Sequence, residues 1–174
     1  MPRLLRLAGR HGRLEDDPSI YVGLESPDEA NGASDGPRVL PWSRWQNEAE
    51  APGVAGVWVE GDQEPEPLAP SLARIPFLAI RFPAMNDGRG LSLAVLLRNR
   101  YGYRGELRAI GAAHEDLVHY YRRCGFDSVL FADGRDLDTA LAGTRVLSDF
   151  YQGSVIEPAP AFRRVARGAT TAIS

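Results

Sequence analysis

The sequence contains no lysine, so its 20 basic side chains are all arginines. A Walker-type phosphate loop ends in Gly-Lys-Ser/Thr, and a Schiff base with pyridoxal phosphate or a carbonyl substrate needs a lysine amine. The lack of lysine therefore excludes P-loop nucleotide hydrolysis and both kinds of Schiff-base catalysis in this chain.

Cysteine is nearly as scarce, because Cys124 is the only one among 174 residues. A single thiol excludes an internal disulfide, a Cys-x-x-Cys redox pair and a four-cysteine iron–sulfur or zinc site within one chain. His114 and His119 are five residues apart, roughly 140° around a helix, so they lack the i, i+4 spacing of a helical zinc pair. No Gly-x-Gly-x-x-Gly loop follows a strand either. We expect no metal and no cofactor of the chain's own.

Long apolar runs are missing too. No stretch approaches the roughly 20 apolar residues that span a bilayer. The short apolar run within Met1–Arg13 is interrupted by arginine and is followed by no small-residue cleavage site, which argues against a signal peptide. With 44% hydrophobic and 25% charged residues, the composition is typical of one compact soluble domain. We expect a cytoplasmic protein without a membrane partner.

The net charge of −3 is unevenly distributed along the chain. Residues 1–87 hold 8 arginines and 14 acids, whereas residues 88–174 hold 12 arginines and 9 acids. A general nucleic-acid binder would show a basic surplus over the whole domain. The charge therefore argues against nucleic acid as a partner and indicates that the two halves face different partners.

Short apolar runs alternate with amphipathic stretches from Arg38 onward, as strands alternate with helices. The runs predict five strands, at Arg38–Leu40, Val54–Val59, Phe77–Phe82, Glu106–Ile110 and Ser128–Phe131. The other stretches predict five helices, at Ser43–Glu50, Glu66–Ala73, Leu91–Tyr101, His114–Cys124 and Leu137–Tyr151. Because the strands are almost continuously apolar, we expect an α/β fold with a mostly parallel five-stranded sheet and helices on both faces. Five βα units form an open three-layer sandwich more readily than a barrel of eight, so we expect an open sheet rather than a half barrel.

Three regions are expected along the chain. Residues 1–36 are acidic and contain the turn signals Asn31-Gly32 and Asp35-Gly36, which predict an N-terminal arm or hairpin that is partly flexible. Residues 37–152 make up the α/β domain. Residues 153–174, with Pro158 and Pro160, predict an irregular C-terminal tail.

The loop after the third predicted strand contains the first candidate site. Ligands of open parallel sheets bind beyond the carboxyl ends of the strands, and this loop carries Asp87, Gly88 and Arg89. A helix follows, and its first turn includes Ser92. Glycine admits close approach of backbone amides, the helix start is electropositive, and arginine can bind two oxygens of an anion. The same residues also fit a tight turn in which Asp87 and Ser92 cap the helix and Arg89 pairs with an acid.

Glu106 and Arg108 are the second candidate, because alternate residues of a strand point to the same side. Two charges on the covered face of a central strand are either paired or placed at a site. The pair either extends an anion- or partner-binding surface toward Arg89 or forms a buried ion pair that serves the fold alone.

The third candidate lies on the fourth predicted helix, where Asp116, Tyr120 and Arg123 follow at i, i+4 and i+7. Asp116, in the first turn, serves either as a base at the site or as a complement to the helix dipole. Cys124 falls on the apolar side of this helix near its carboxyl end, which disfavours a thiolate. We therefore interpret Cys124 as a buried structural residue.

Several motifs resemble a known bacterial family. The longest begins with Asp87-Gly88-Arg89-Gly90, continues through Gly105-Glu106-Leu107-Arg108 and ends with Arg123-Cys124-Gly125-Phe126-Asp127. On these residues, and on shorter matches between Arg38 and Arg164, the chain is similar to domain-of-unknown-function family 934. Members of that family are labelled oxidoreductases involved in sulfite reduction. The resemblance implies an accessory protein of assimilatory sulfite reduction that acts with sulfite reductase or its electron donor. The working surface implied is the set of charged residues described above: Asp87, Arg89, Glu106, Arg108, Asp116 and Arg123.

The chain departs from the family pattern at three places. Arg81 stands where the family often has aspartate, Ala84-Met85-Asn86 where it often has Lys-Phe-Thr, and Ala112 where aspartate often follows Gly111. A mechanism that relies on that lysine or that aspartate is excluded here. Since the chain has no cluster ligands and no cysteine pair, catalysis stays an open question. The alternatives are an oxidoreductase with a noncovalently bound flavin-type cofactor at the strand ends and a structural scaffold without a site of its own.

Overall fold

The computed structural model describes residues 3–7, 11–24, 36–145 and 151–164. The strands are β1 (Arg3–Arg6), β2 (Arg13–Asp16), β3 (Ile20–Tyr21), β4 (Arg38–Pro41), β5 (Val54–Glu60), β6 (Phe77–Phe82), β7 (Glu106–Gly111) and β8 (Ser128–Phe131). The α-helices are α1 (Trp42–Glu48), α2 (Arg89–Asn99), α3 (Val118–Arg123), α4 (Leu137–Gly143) and α5 (Ala161–Arg164). Two 3₁₀ helices cover Ala69–Arg74 and Glu115–Leu117.

These strands form one sheet of eight with the order β2-β1-β8-β7-β6-β5-β4-β3. Strands β3 to β8 run parallel to one another, and β1 is antiparallel to both β2 and β8. The five predicted strands correspond to β4–β8. The expected open, mostly parallel five-stranded sheet is nevertheless wrong, because three N-terminal strands extend the sheet at both edges and make it mixed. In the N-terminal region, β1 and β2 form a hairpin that pairs with β8 as part of the sheet, while residues 25–35 lie outside the described residues.

The sheet is strongly curled, and the link between its two edge strands demonstrates this. Residues 17–19 alone join β2 to β3. In a flat sheet, strand spacings of about 4.8 Å would separate these edges by roughly 34 Å, whereas the chain from Asp16 to Ile20 spans at most about 14 Å. The edges therefore lie near each other and the sheet encloses a concave face. A hydrogen bond of 2.8 Å from Arg108 on β7 to the hydroxyl of Tyr21 on β3 crosses this concave space.

The helices cover the convex face of the sheet. Buried residues of α1–α4, such as Trp45, Leu97 and Tyr121, belong to one cluster with alternate strand residues such as Leu78 and Val129. Each strand from β4 to β8 pairs with the next one in chain order. Right-handed crossovers in such an unreversed order return every helix to the same side. The expectation of helices on both faces is therefore wrong for the described residues.

The concave face has a smaller core of its own. Its buried apolar residues come from β1, β4, β6, β7 and β8: Leu4, Val39, Phe77, Ala79, Ile110 and Leu130. The Trp58 indole packs against them and donates a hydrogen bond of 2.9 Å to the carbonyl of Val22. Side chains therefore fill the inside of the curled sheet, and the open surfaces for ligands and partners lie at its two ends and on its outer layer.

Three predicted helices differ in detail from the observed ones. The predicted helix at Glu66–Ala73 is the 3₁₀ helix Ala69–Arg74. Pro70 would lie inside the predicted helix, where it removes a backbone hydrogen bond, but it lies in the first turn of the observed one. The predicted helix at His114–Cys124 begins as a 3₁₀ turn before α3. The last one ends at Gly143, and residues 146–150 lie outside the described part of the chain. Among the residues that are described, no helix has the length and apolar character to cross a membrane.

Candidate functional site

The carboxyl ends of β5 and β6 carry a cluster of three charged residues, of which Asp62 and Arg89 are exposed and Asp87 is half-buried. Two glycines bring the loops that carry them together. A Cβ atom on Gly61 would lie 3.1 Å from the amide nitrogen of Gly90, and a Cβ atom on Gly90 would lie 2.8 Å from the ring of Phe82. These close approaches require glycine and place the start of α2 against the end of β5. We call this set the Asp62–Arg89 cluster.

The Arg89 guanidinium is held by both carboxylates of the Asp62–Arg89 cluster. Its Nε lies 2.9 Å from Oδ1 of Asp87, its Nη2 lies 2.5 Å from Oδ2 of Asp87, and its Nη1 lies 2.8 Å from Oδ2 of Asp62. The Arg89 side chain remains 57% exposed and that of Asp62 54%. The cluster is therefore fixed in geometry but open to a partner, with two carboxylates, one guanidinium and a net charge of −1.

Ion pairing sets the protonation of the cluster. Hydrogen bonds from the side chain and then the backbone of Arg89 lower the pKa of Asp87 to about 2. The same contact raises the pKa of Arg89 above its ordinary value. Both groups are therefore charged throughout the physiological range.

The remaining predicted residues of this loop lie at the start of α2. Gly88 is exposed and its carbonyl accepts hydrogen bonds from the amides of Leu91 and Ser92, at 3.1 and 3.3 Å. Ser92 is exposed on the first turn. The backbone amide of Arg89 donates to Asp87 at 3.0 Å, as the tight-turn interpretation expects for that residue. The loop is therefore both a tight turn and the location of an exposed charge cluster.

The structure places Glu106 and Arg108 elsewhere, on the concave face of the sheet. The Arg108 side chain is only 4% exposed, and its Nη1 donates to Asp17 and to the Tyr21 hydroxyl, both at 2.8 Å. Its Nη2 donates to Glu106 at 2.8 Å, and its guanidinium carbon lies 4.1 Å from the centre of the Phe77 ring. The guanidinium is therefore surrounded by the protein's own groups.

Glu106 extends this polar network toward the amino end of the sheet. Its carboxylate accepts hydrogen bonds from Ser128 at 2.6 Å and from Arg108, and it forms an ion pair of 2.7 Å with Arg6. Burial raises the pKa of Glu106, but the hydrogen bonds from Arg6 and Ser128 and the charge and hydrogen bond of Arg108 together outweigh it, so the pKa lies below its ordinary value. Glu106 is the first residue of β7, whereas Arg89 lies beyond the carboxyl end of β6, after the loop that follows Phe82. The two candidates therefore lie toward opposite ends of the sheet.

Asp116 and Arg123 occupy a third region, in the outer helical layer. Asp116 belongs to the 3₁₀ turn before α3, and its backbone amide donates to Nδ1 of His114 at 3.3 Å. Arg123 ends α3 and lines a cavity of about 740 Å³ together with Tyr120 and Cys124. Burial raises the pKa of the Cys124 thiol, which keeps it protonated at neutral pH. The predicted residues thus fall into three groups and form no single constellation.

Asp62, Asp17 and Tyr21 belong to these charged groups but were not among the candidates predicted from sequence. Asp62 directly follows a predicted strand, so reading the loop after every strand would have found it. Asp17 and Tyr21 lie in the N-terminal region, where no local signal connects them to Arg108. Across the described ranges, no group of three or more His, Cys, Asp or Glu side chains is arranged to hold a metal ion.

Comparison with known proteins gives one family match. The model of a family described as bacterial protein of unknown function (DUF934) matches residues 56–162, which is more than half of the 174 residues. The matched range includes the Asp62–Arg89 cluster, Glu106, Arg108, Asp116 and Arg123. No curated protein and no solved structure matches the chain.

Proposed function

The chain belongs to the bacterial DUF934 family, and on that premise we propose that it is an accessory protein of assimilatory sulfite reduction that binds sulfite reductase or its electron donor. The assignment to sulfite reduction rests on the sequence resemblance to this family. We assign the Asp62–Arg89 cluster as the surface that contacts the partner protein. It lies at the carboxyl ends of the parallel strands, where the loops of α/β proteins commonly bind their ligands and partners.

The observation that carries the proposal is that Arg89 is more than half exposed while Asp87 and Asp62 fix its orientation. An exposed ion pair contributes little to the free energy of unfolding, so stability of the fold does not explain why Arg89 is held by two carboxylates. A preoriented charge cluster instead raises the rate and the specificity of association with a complementary surface. Because the cluster has a net charge of −1, the matching patch on the partner should be basic at its centre.

Within this proposal, each residue of the cluster has its own part. The outward carboxylate of Asp62 attracts the basic patch of the partner. Arg89 has guanidinium N–H groups beyond the three that bind the two aspartates, and these can donate to a carbonyl or carboxylate of the partner. Asp87, whose side chain is 15% exposed, mainly holds Arg89 in place. No redox step is assigned to these side chains.

The test is affinity capture of the tagged protein from cells grown on sulfate, with an absorbance spectrum of the eluate. We expect a colourless protein that brings down sulfite reductase or its electron donor. The Arg89→Ala variant should lose that partner and should fail to support growth on sulfate. The matched control is Arg74→Ala, which removes an equally exposed arginine, 59% exposed, from a surface outside the cluster.

Normal capture and normal growth with Arg89→Ala would contradict the proposed surface. A flavin-coloured protein that captures no partner would contradict the accessory role and favour the alternative of an enzyme with a noncovalent flavin.

A further inference from the structure

An arginine-lined groove of about 510 Å³ lies at the amino ends of β7 and β8. Arg104, two residues before β7, and Asp127, the residue before β8, both line it, and Arg98 and Arg122 come from the neighbouring helices α2 and α3. The groove is therefore at the opposite end of the parallel strands from the Asp62–Arg89 cluster. Nothing in the proposed function uses it.

Arg98 forms the fixed wall of the groove. Its Nε donates to the carbonyl of Gly125 at 2.9 Å, and its Nη1 donates to the carbonyls of Tyr103 and Gly105 at 2.8 and 2.9 Å. Its Nη2 lies 2.5 Å from Oδ2 of Asp127, so a carboxylate compensates its charge. The Arg98 side chain is only 10% exposed. Its role is to hold the loops at the ends of β7 and β8 together.

Arg104 and Arg122 have spare binding capacity in the same groove. Arg104 is exposed and forms no hydrogen bond or ion pair with the described residues. Arg122 donates one hydrogen bond, of 3.2 Å, to the carbonyl of Thr144, and no carboxylate of the described residues pairs with it. Since Asp127 compensates Arg98, the groove has a surplus of two positive charges. This surplus stands out in a chain whose net charge is −3.

The rest of the groove is largely apolar. Leu7, Phe126, Val155 and Ile156 line it beside the guanidiniums. The backbone amide of Val155 donates to the carbonyl of Arg123 at 3.1 Å, which fastens this part of the C-terminal segment to the end of α3. The Ile156 side chain is 43% exposed and therefore offers apolar surface at the edge of the groove. The groove thus combines an apolar wall with two guanidiniums that no carboxylate of the described residues compensates.

We propose that this groove binds a phosphate monoester that carries an apolar group. A phosphate monoester is close to a dianion at neutral pH, so it matches the surplus of two charges, and arginine binds phosphate oxygens in bidentate geometry. The apolar group would lie on the Leu7 and Ile156 side. The volume of the groove is far larger than a free phosphate ion requires and is within the range of small-molecule sites.

The test titrates phenyl phosphate into the full chain and follows backbone amide resonances by NMR. We expect saturable shifts at Gly125, Phe126 and Ile156, with weaker binding of inorganic phosphate, which lacks the ring, and of benzoate, which has one charge. Arg104→Gln should raise the dissociation constant at least about tenfold, because a charge-assisted hydrogen bond is lost. Arg74→Gln makes the same change of charge outside the groove and should leave the constant unchanged.

Two results would overturn the proposal. One is the absence of saturable shifts in the groove with phenyl phosphate. The other is that benzoate binds as tightly as phenyl phosphate, or that the Arg104→Gln variant binds phenyl phosphate as tightly as the parent. Either finding would show that the groove does not require a dianion. Arg104 has no partner in the described residues, so the variant should fold like the parent, and its amide spectrum provides that control. Both results are independent of partner capture through Arg89.

Discussion

The carboxylate of Asp17 and the guanidinium of Arg108 lie 2.8 Å apart inside the curled sheet, although 91 residues separate them in the chain. Asp17 belongs to the short link between the two edge strands, and Arg108 belongs to β7 in the middle of the sheet. Their side chains are 1% and 4% exposed. The pair therefore joins the closing link to the centre of the sheet in a place that water does not reach.

Replacing Arg108 should destabilise the fold strongly. In the Arg108→Met variant, Asp17 and Glu106 lose their shared counter-charge while they remain buried or half-buried, which costs about 3–5 kcal/mol of unfolding free energy. Urea denaturation followed by tryptophan fluorescence measures this loss. The exposed Arg74→Met variant should leave the midpoint unchanged. A loss below about 1 kcal/mol for Arg108→Met, with impaired partner capture, would instead favour a direct functional role for Arg108.

Gly90 should tolerate no side chain. In Gly90→Ala the new Cβ atom would lie 2.8 Å from the Phe82 ring, so the start of α2 must move away from the sheet at a cost of about 1–3 kcal/mol. Gly88 is the matched control, because a Cβ atom there meets nothing within 4 Å and the φ angle of −83° suits alanine. Thermal unfolding of the two variants should show a lower midpoint for Gly90→Ala alone. Equal midpoints would contradict the close approach.

Asp87 should titrate at unusually low pH. Hydrogen bonds from Arg89 lower the pKa of Asp87 to about 2 in the folded protein, below the ordinary value of 3.8. The folded state therefore binds this proton less readily than the unfolded state, so the pair's contribution to stability is complete above the ordinary pKa and disappears as the pH falls toward 2. Carboxyl-carbon NMR of the parent and of Arg89→Ala measures the difference. A titration near 3.8 in the parent would refute the pairing in solution.

Capture of the partner through the Asp62–Arg89 cluster should weaken as the salt concentration rises, because the contact is between exposed charges. Asp62→Asn should weaken capture less than Arg89→Ala, since it removes one attraction and leaves Arg89 held by Asp87. Capture from lysate over a range of sodium chloride concentrations measures both effects. Retention that does not change with salt would point to an apolar contact elsewhere on the molecule.

Local sequence pattern was enough to place β4–β8, because each is a short and almost continuous apolar run bounded by turn residues. The same pattern carries no information on strand order or curvature. β3 has two residues, too few for any periodicity, and the apolar run in β1 is interrupted by arginine. The placement of α1–α4 on one face follows from the order of the strands, and that order is determined by contacts between distant parts of the chain.

The candidate site shows the same limit. Asp87 and Arg89 are two residues apart, so their interaction could be inferred from the loop itself. Arg89 contacts Asp62 across 27 residues, and that contact depends on the packing of Gly61 against Gly90. Glu106 and Arg108 were correctly placed on one side of a strand, but their surroundings depend on the closing link near Asp17. Contacts between residues close in the chain could therefore be predicted from the sequence, whereas contacts between distant residues could not.

The pairing of β1 with β8 has a consequence for synthesis of the protein on the ribosome. Leu4 pairs with Leu130, so β1 leaves the exit tunnel long before its partner strand has been translated. At the roughly 5–20 residues per second of translation, the N-terminal hairpin must wait many seconds with one strand edge and its leucines uncovered. Chaperones that hold apolar segments of nascent chains should therefore be able to bind this hairpin during that interval, and the sheet should close only after β8 has left the tunnel.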